Sequence, residues 1–159
     1  MSFSAFQKLA LNKLKFGLFM FTKLPSAFLC GVRLRSLQEH KCTTSVPYKW
    51  LSQNPFKSTY FACQAMAAEM STGMLGLGHS YQSKPGISML VVKFEAQYFK
   101  KATERIYFTC SSGQAIKDAI EKSKLTGEGY TVECISTGKN KAGEMMSEFK
   151  VTWSYKARK

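Results

Sequence analysis

Residues 59–75 read TYFACQAMAAEMSTGML, a stretch that is apolar on nearly every side when wound as a helix. Alanine and methionine dominate, glycine is absent before Gly73, and Glu69 is its single charge; such a composition favours helix. A helix that is hydrophobic all round must be wrapped by other structure. Gly73, Gly76 and Gly78 are expected to end it. The wrapping material is strand. Residues 87–99, 105–110 and 130–137 read as strands, and in 148–156 Phe149, Val151, Trp153 and Tyr155 alternate with Glu148, Lys150, Thr152, Ser154 and Lys156. Before the helix, 32–37 forms a strand with one basic face and 41–49 a second that ends at Pro47, followed by the turn Gln53-Asn54-Pro55. A short helix over 113–124 puts Ile116, Ala119 and Ile120 on one face. Phe3, Phe6, Ala10, Leu14 and Leu18 give an N-terminal amphipathic helix within residues 1–24, closed by Pro25. Strands clustered in sequence favour antiparallel pairing, so the expected class is α+β, with about five antiparallel strands around one buried helix.

The 159 residues suit a single domain, 1–159, with a sizeable core. Lys and Arg number 23 against 10 Asp and Glu, a net charge of +13 that attracts phosphates of any kind. Apolar runs are broken by Lys, Ser or Gly too early for a transmembrane helix. Cys30, Cys42, Cys63, Cys110 and Cys134 are odd in number and contain no Cys-x-x-Cys pair. Neither a disulfide framework nor a zinc site is expected, and a reducing cytoplasm suits them. With His40 and His79 the only histidines, no His-rich metal centre is expected either. Residues 1–38 hold six basic residues and no acid, as a transit peptide would, but a first helix belonging to the domain is the preferred reading.

The segment Asn54 to Gly73, NPFKSTYFACQAMAAEMSTG, resembles that of phenylacetyl-CoA thioesterase-like members of the hot-dog acyl-CoA thioesterase superfamily. Their pattern is Asn, His and Gly, then an acid on the helix and a further Gly. Asn54, Glu69 and Gly73 match it without a gap, whereas Tyr60 stands at the His position, Ala62 at the Gly, and Lys57 at another common Gly. Downstream, FEAQYFKKATERIYF is similar to the family's long strand and its Phe-Leu-Arg-Pro-Ala turn, with Lys100 near the Arg. Residues 5–157, with their first helix and inserted helix, look closer still to an uncharacterised bacterial branch of the superfamily. The resemblance implies a hot-dog fold, hydrolysis of acyl-CoA or a related acyl thioester, and no cofactor beyond the coenzyme A of the substrate.

Within that frame Glu69 is the candidate base or nucleophile for thioester hydrolysis. Desolvation amid Ala65, Met66 and Thr72 would raise its pKa; the alternative is a structural acid paired with a lysine or with backbone donors. Free N–H groups in the first turn of its helix, around Tyr60, Phe61 and Ala62, would hold the developing oxyanion. Seven residues separate Ala62 from Glu69, about 10 Å along a helix. One thioester carbon cannot lie close to both, so Glu69 is expected to work with the helix N-terminus of a partner, in a homodimer or a dimer of dimers. Asn54 would orient water or the acyl carbonyl, or simply shape the turn. Tyr60 would donate a hydrogen bond, wall the acyl tunnel or pack. Lys100 and Lys101 would meet coenzyme A phosphates or remain solvated. Cys63, with no histidine near it in sequence, is not a candidate nucleophile. Two other function classes stay open: a non-catalytic acyl-CoA or lipid binder, favoured by Tyr60 and Ala62, and a membrane-surface or nucleic-acid binder. Only net charge and the basic first helix suggest the last, and with no nucleic-acid motif visible, no nucleic-acid partner is expected.

Overall fold

A computed structural model describes residues 2–158, so Met1 and Lys159 of the expected domain fall outside it. Six strands form one antiparallel sheet in the order β1 (Arg33–Leu37), β2 (Cys42–Val46), β4 (Ile106–Cys110), β5 (Gly129–Lys139), β6 (Met145–Ala157), β3 (Ile87–Tyr98). The long helix α4 (Phe61–Ser80) lies against this sheet, with Ala67, Ala68, Met70, Met74 and Leu75 buried. Phe149, Val151, Trp153 and Tyr155 on β6 are buried as the alternation requires. Phe149 is the hub, its ring about 5.6 Å from those of Phe94, Tyr98 and Phe108.

The glycines do not end α4. Gly73, Gly76 and Gly78 lie inside it because other groups press against the helix there. A Cβ at Gly73 would meet the Trp153 ring at 3.1 Å, one at Gly76 would meet Tyr155 at 2.9 Å, and one at Gly78 would strike Phe3. Close approach of the sheet and the N-terminal segment outweighs the helix cost of glycine, which is about 1 kcal/mol each.

The N-terminal helix is likewise not one piece. Asn12 divides it into α1 (Ser2–Leu11) and α2 (Lys13–Lys23) by accepting a hydrogen bond from the Lys15 N–H, as an N-cap does. Pro25 ends α2 but begins α3 (Pro25–Cys30) at its first turn, where its missing N–H costs nothing. Gly31 then closes α3 in the left-handed conformation, φ 90°. The inserted helix, α5 (Gly113–Thr126), buries Ile116, Ala119 and Ile120 as expected.

Among the described residues no helix is long and apolar enough to cross a membrane. All five cysteines are free and buried.

Candidate functional site

The N-terminus of α4 opens on a cavity of about 540 Å³, and most of the candidate residues meet there. Asn54, Tyr60 and Phe61 line it from the helix side, and Lys100 and Lys101 from just beyond the end of β3. The loop that delivers Asn54 is built around its side chain. Its Oδ1 accepts from the backbone N–H groups of Phe56 (3.0 Å) and Ser58 (3.2 Å) and from the Ser58 hydroxyl (3.2 Å). Asn54 therefore shapes the turn, and what it offers a ligand is its amide Nδ2.

Tyr60 caps α4, but its own N–H donates to the Ser52 carbonyl at 2.7 Å and is not free. Its carbonyl takes the N–H groups of Cys63 and Gln64. The donors left without an acceptor among the described residues are those of Phe61 and Ala62, so the oxyanion cradle is narrower than the sequence suggests. Thr59 clamps the turn to the chain after β3, its N–H donating to Ala102 at 2.7 Å. Gln64 ties it to the sheet: Nε2 donates to the Thr59 carbonyl, and Ser147 donates to Oε1 at 2.9 Å. Sequence reasoning missed Gln64, although a glutamine in so apolar a turn is a visible signal. It also missed Tyr98 and Phe99, which wall the cavity and which the resemblance placed only on a long strand.

The two lysines are partly engaged. Lys100 pairs with Glu144, and Lys101 Nζ reaches the Phe56 carbonyl at 3.4 Å. Both side chains are exposed, so a phosphate can compete for them with solvent on its side.

Glu69 is elsewhere on α4, in a separate apolar cavity of about 180 Å³. Its neighbours there include Met70, Met74, Met89 and Trp153, and α2 supplies Phe16 and Phe19 as a cover. No cation pairs with Glu69 among the described residues. Burial pushes its pKa above the ordinary glutamate value, and burial is the sole cause. The floor is fixed by hydrogen bonds: Trp153 Nε1 donates to Thr72 Oγ1 (2.8 Å), which donates to the Glu69 carbonyl (2.8 Å). The structure thus gathers Asn54, Tyr60, Phe61, Lys100 and Lys101 and leaves Glu69 a little more than two turns farther along the helix. A half-exposed stripe, Ala62, Ala65, Met66 and Glu69, joins the two places.

Cys63, in the first turn, has its thiol pushed up by the neighbouring Cys30 and by burial, away from nucleophile chemistry. Among the described residues no cluster of three or more His, Cys, Asp or Glu side chains could hold a metal ion.

No protein-family model and no curated protein matches the chain. Solved structures do. A Chlorobaculum tepidum protein of unknown function superposes with a TM-score of 0.78 at 13% identity, covering 92% of this chain and 94% of its own. A Haemophilus influenzae thioesterase gives 0.66 at 10% identity, with 92% of each chain covered. A Staphylococcus aureus thioesterase gives 0.59 at 13% identity, over 80% of this chain and 94% of its own. That protein was crystallised as a Gln-to-Ala and as a Glu-to-Ala variant, at positions fifteen residues apart. The shared architecture is the hot-dog fold: an α+β chain with an antiparallel sheet around a central helix.

Proposed function

We propose that this hot-dog chain hydrolyses the thioester of an acyl-CoA or a related acyl carrier. Glu69 of one subunit acts beside the α4 N-terminus of the other, in a homodimer or a dimer of dimers. The observation that carries this reading is the unpaired Glu69 carboxylate in an apolar cavity on the central helix. A carboxylate kept basic by burial either takes a proton from water as that water attacks the carbonyl carbon, or attacks the carbon itself. In the first route the water oxygen bonds to the acyl carbon, the C–S bond breaks, and the proton passes to the departing thiolate. The carbonyl oxygen gathers charge on the way, and the free N–H groups of Phe61 and Ala62 at the positive end of α4 suit it. Asn54 and Glu69 are fifteen residues apart, the spacing of the two substituted positions in the Staphylococcus aureus thioesterase.

Two features favour the shared assembly. Ala62, Ala65 and Met66, on the stripe that leads to Glu69, are only half-buried in one chain. Strand β3 is a sheet edge of 12 residues with Leu90, Val92 and Phe94 exposed, an edge that pairing with a second copy would close. Light scattering at micromolar concentration should give twice or four times the chain mass; a monomer would remove the partner from the site. Buried, unbridged thiols fit a cytoplasmic setting.

The test is thiol release across a series of acyl-CoA chain lengths. Release above the uncatalysed rate for at least one chain length supports the reading; none across the series rejects it. A second reading, acyl-CoA binding without turnover, is favoured by Tyr60, which stands in the cavity where the resembled family has histidine. It takes over if acyl-CoA raises the melting temperature while no thiol appears. In the active case Lys100→Ala should raise KM several-fold and leave kcat nearly unchanged, because a phosphate contact is made equally in ground and transition states. Initial rates against acyl-CoA concentration check this, and a fall in kcat with constant KM would place Lys100 at the chemistry instead.

A further inference from the structure

Helix α2 is apolar on two opposite faces. Phe16, Phe19 and Met20 turn inward, Met20 buried and the two phenylalanines lining the cavity that holds Glu69. On the other side Leu14, Leu18 and Phe21, spaced three and four residues apart, are 87%, 66% and 55% exposed. At 100° per residue these three share one stripe, with Lys13 and Lys15 about 100° to either side of Leu14. Beside the stripe runs a groove of about 720 Å³ between α2 and β1, its opposite wall carrying Arg33, Leu34 and Arg35.

The charges complete the pattern. Lys8, Lys13, Lys15, Lys23, Arg33 and Arg35 are the Lys and Arg residues of positions 1–38, and no Asp or Glu stands among them. None of the six is in an ion pair among the described residues. Arg33 lies over the Phe28 ring at 4.8 Å, and the Arg35 Nε donates to Ser45 at 2.7 Å, so both are held along the groove. An apolar stripe flanked by lysines on long stems is the arrangement that rests in the headgroup layer of a bilayer, ammonium groups at the phosphates and leucines below them.

We propose that α2, with the adjoining β1 wall, is a docking surface for an anionic lipid bilayer, Leu14, Leu18 and Phe21 entering the interface while Lys13, Lys15, Arg33 and Arg35 meet the lipid phosphates. The proposal is independent of the thioesterase reading. A stripe of exposed leucines suits an apolar layer, and six cations in no ion pair among the described residues, with no acid beside them in sequence, select a negative one.

Cosedimentation of the full chain with vesicles tests it, using phosphatidylcholine alone and phosphatidylcholine mixed with phosphatidylglycerol. Binding should be at least about tenfold stronger to the mixed vesicles and should weaken as salt rises. Lys13→Gln with Lys15→Gln should remove about tenfold or more of that preference. Leu14→Ser with Leu18→Ser should weaken binding by about tenfold or more with an unchanged melting curve, since neither side chain supports the core. Three results would overturn the proposal: equal binding to the two vesicle types, no binding to either, or full binding by the leucine variant. A fourth would do so as well, a leucine variant of smaller mass in light scattering whose parent ignores vesicles, because that assigns the stripe to a second copy of the chain.

Discussion

Glu69→Gln should lower kcat for acyl-thioester hydrolysis by about 100- to 10,000-fold, the usual cost of losing a general base, with acyl-CoA affinity held within a few-fold. The amide keeps the volume and hydrogen-bonding size of the carboxylate but can neither take a proton at neutral pH nor attack a carbonyl. Nothing in the fold depends on the charge, because Glu69 has no ion-pair partner among the described residues. Removing a buried unpaired charge should, if anything, raise the melting temperature. The pH profile carries the same assignment. Burial raises the Glu69 pKa above the ordinary 4.5, so the acid form persists to higher pH than in a solvated glutamate. As only the ionised form is a base, kcat/KM should fall as pH drops through that raised pKa, placing the acid limb above 4.5, and Glu69→Gln should abolish the limb. Steady-state rates from pH 4 to 9 measure both effects. A variant as fast as the wild type would make Glu69 structural.

Phe149→Ala should destabilise the chain by about 3–5 kcal/mol. The Phe149 side chain is fully buried on β6, and its ring meets Phe94 and Tyr98 of β3 and Phe108 of β4. Truncation leaves a hole bounded by three rings set in hydrogen-bonded strands, a site with little freedom to collapse. At about 2–4 °C per kcal/mol for a chain of this size, the melting temperature should drop by roughly 10 °C. Phe149→Leu should lose markedly less, because most of the volume stays. Calorimetry or thermal circular dichroism measures both, and equal losses would mean that the aromatic cluster contributes shape rather than volume. Tyr98 also walls the cavity at the α4 N-terminus, so the alanine variant should weaken acyl-CoA binding even where it remains folded.

The strands were readable to within about three residues at their ends, because alternation in a sheet with one buried face is a property of neighbouring positions. Residues 148–156 announce β6, and only Met145 to Ser147 and Ala157 lie outside the expected span. The central helix was readable as buried but not in its length. Its glycines look like a stop locally, and only Trp153, Tyr155 and Phe3, distant in sequence, explain why they continue the helix. The break at Asn12 was hidden by the apolar spacing that runs through it. At the site, Asn54, Tyr60, Phe61, Lys100 and Lys101, singled out on separate grounds in the sequence, line one cavity, while Glu69 lies in another. The cover that α2 places over Glu69 was hidden, since a helix apolar on both faces gives no local sign of which face turns inward. The Lys100–Glu144 contact joins residues 44 apart and leaves no local pattern.

The place of β6 in the sheet has a consequence for the birth of the protein. Among the described residues the last strand in sequence is not last in space: β6 lies between β5 and β3 and is the sole partner of β3. During synthesis β3 leaves the ribosome early and waits, its backbone donors and acceptors unpaired, while residues 99 to 144 are added. It is seated only once residues 145 to 157 have emerged and can pair with it. Through that interval Leu90, Val92 and Phe94 stand on a strand open at both edges, in the form most readily captured by chaperones or by a neighbouring nascent chain.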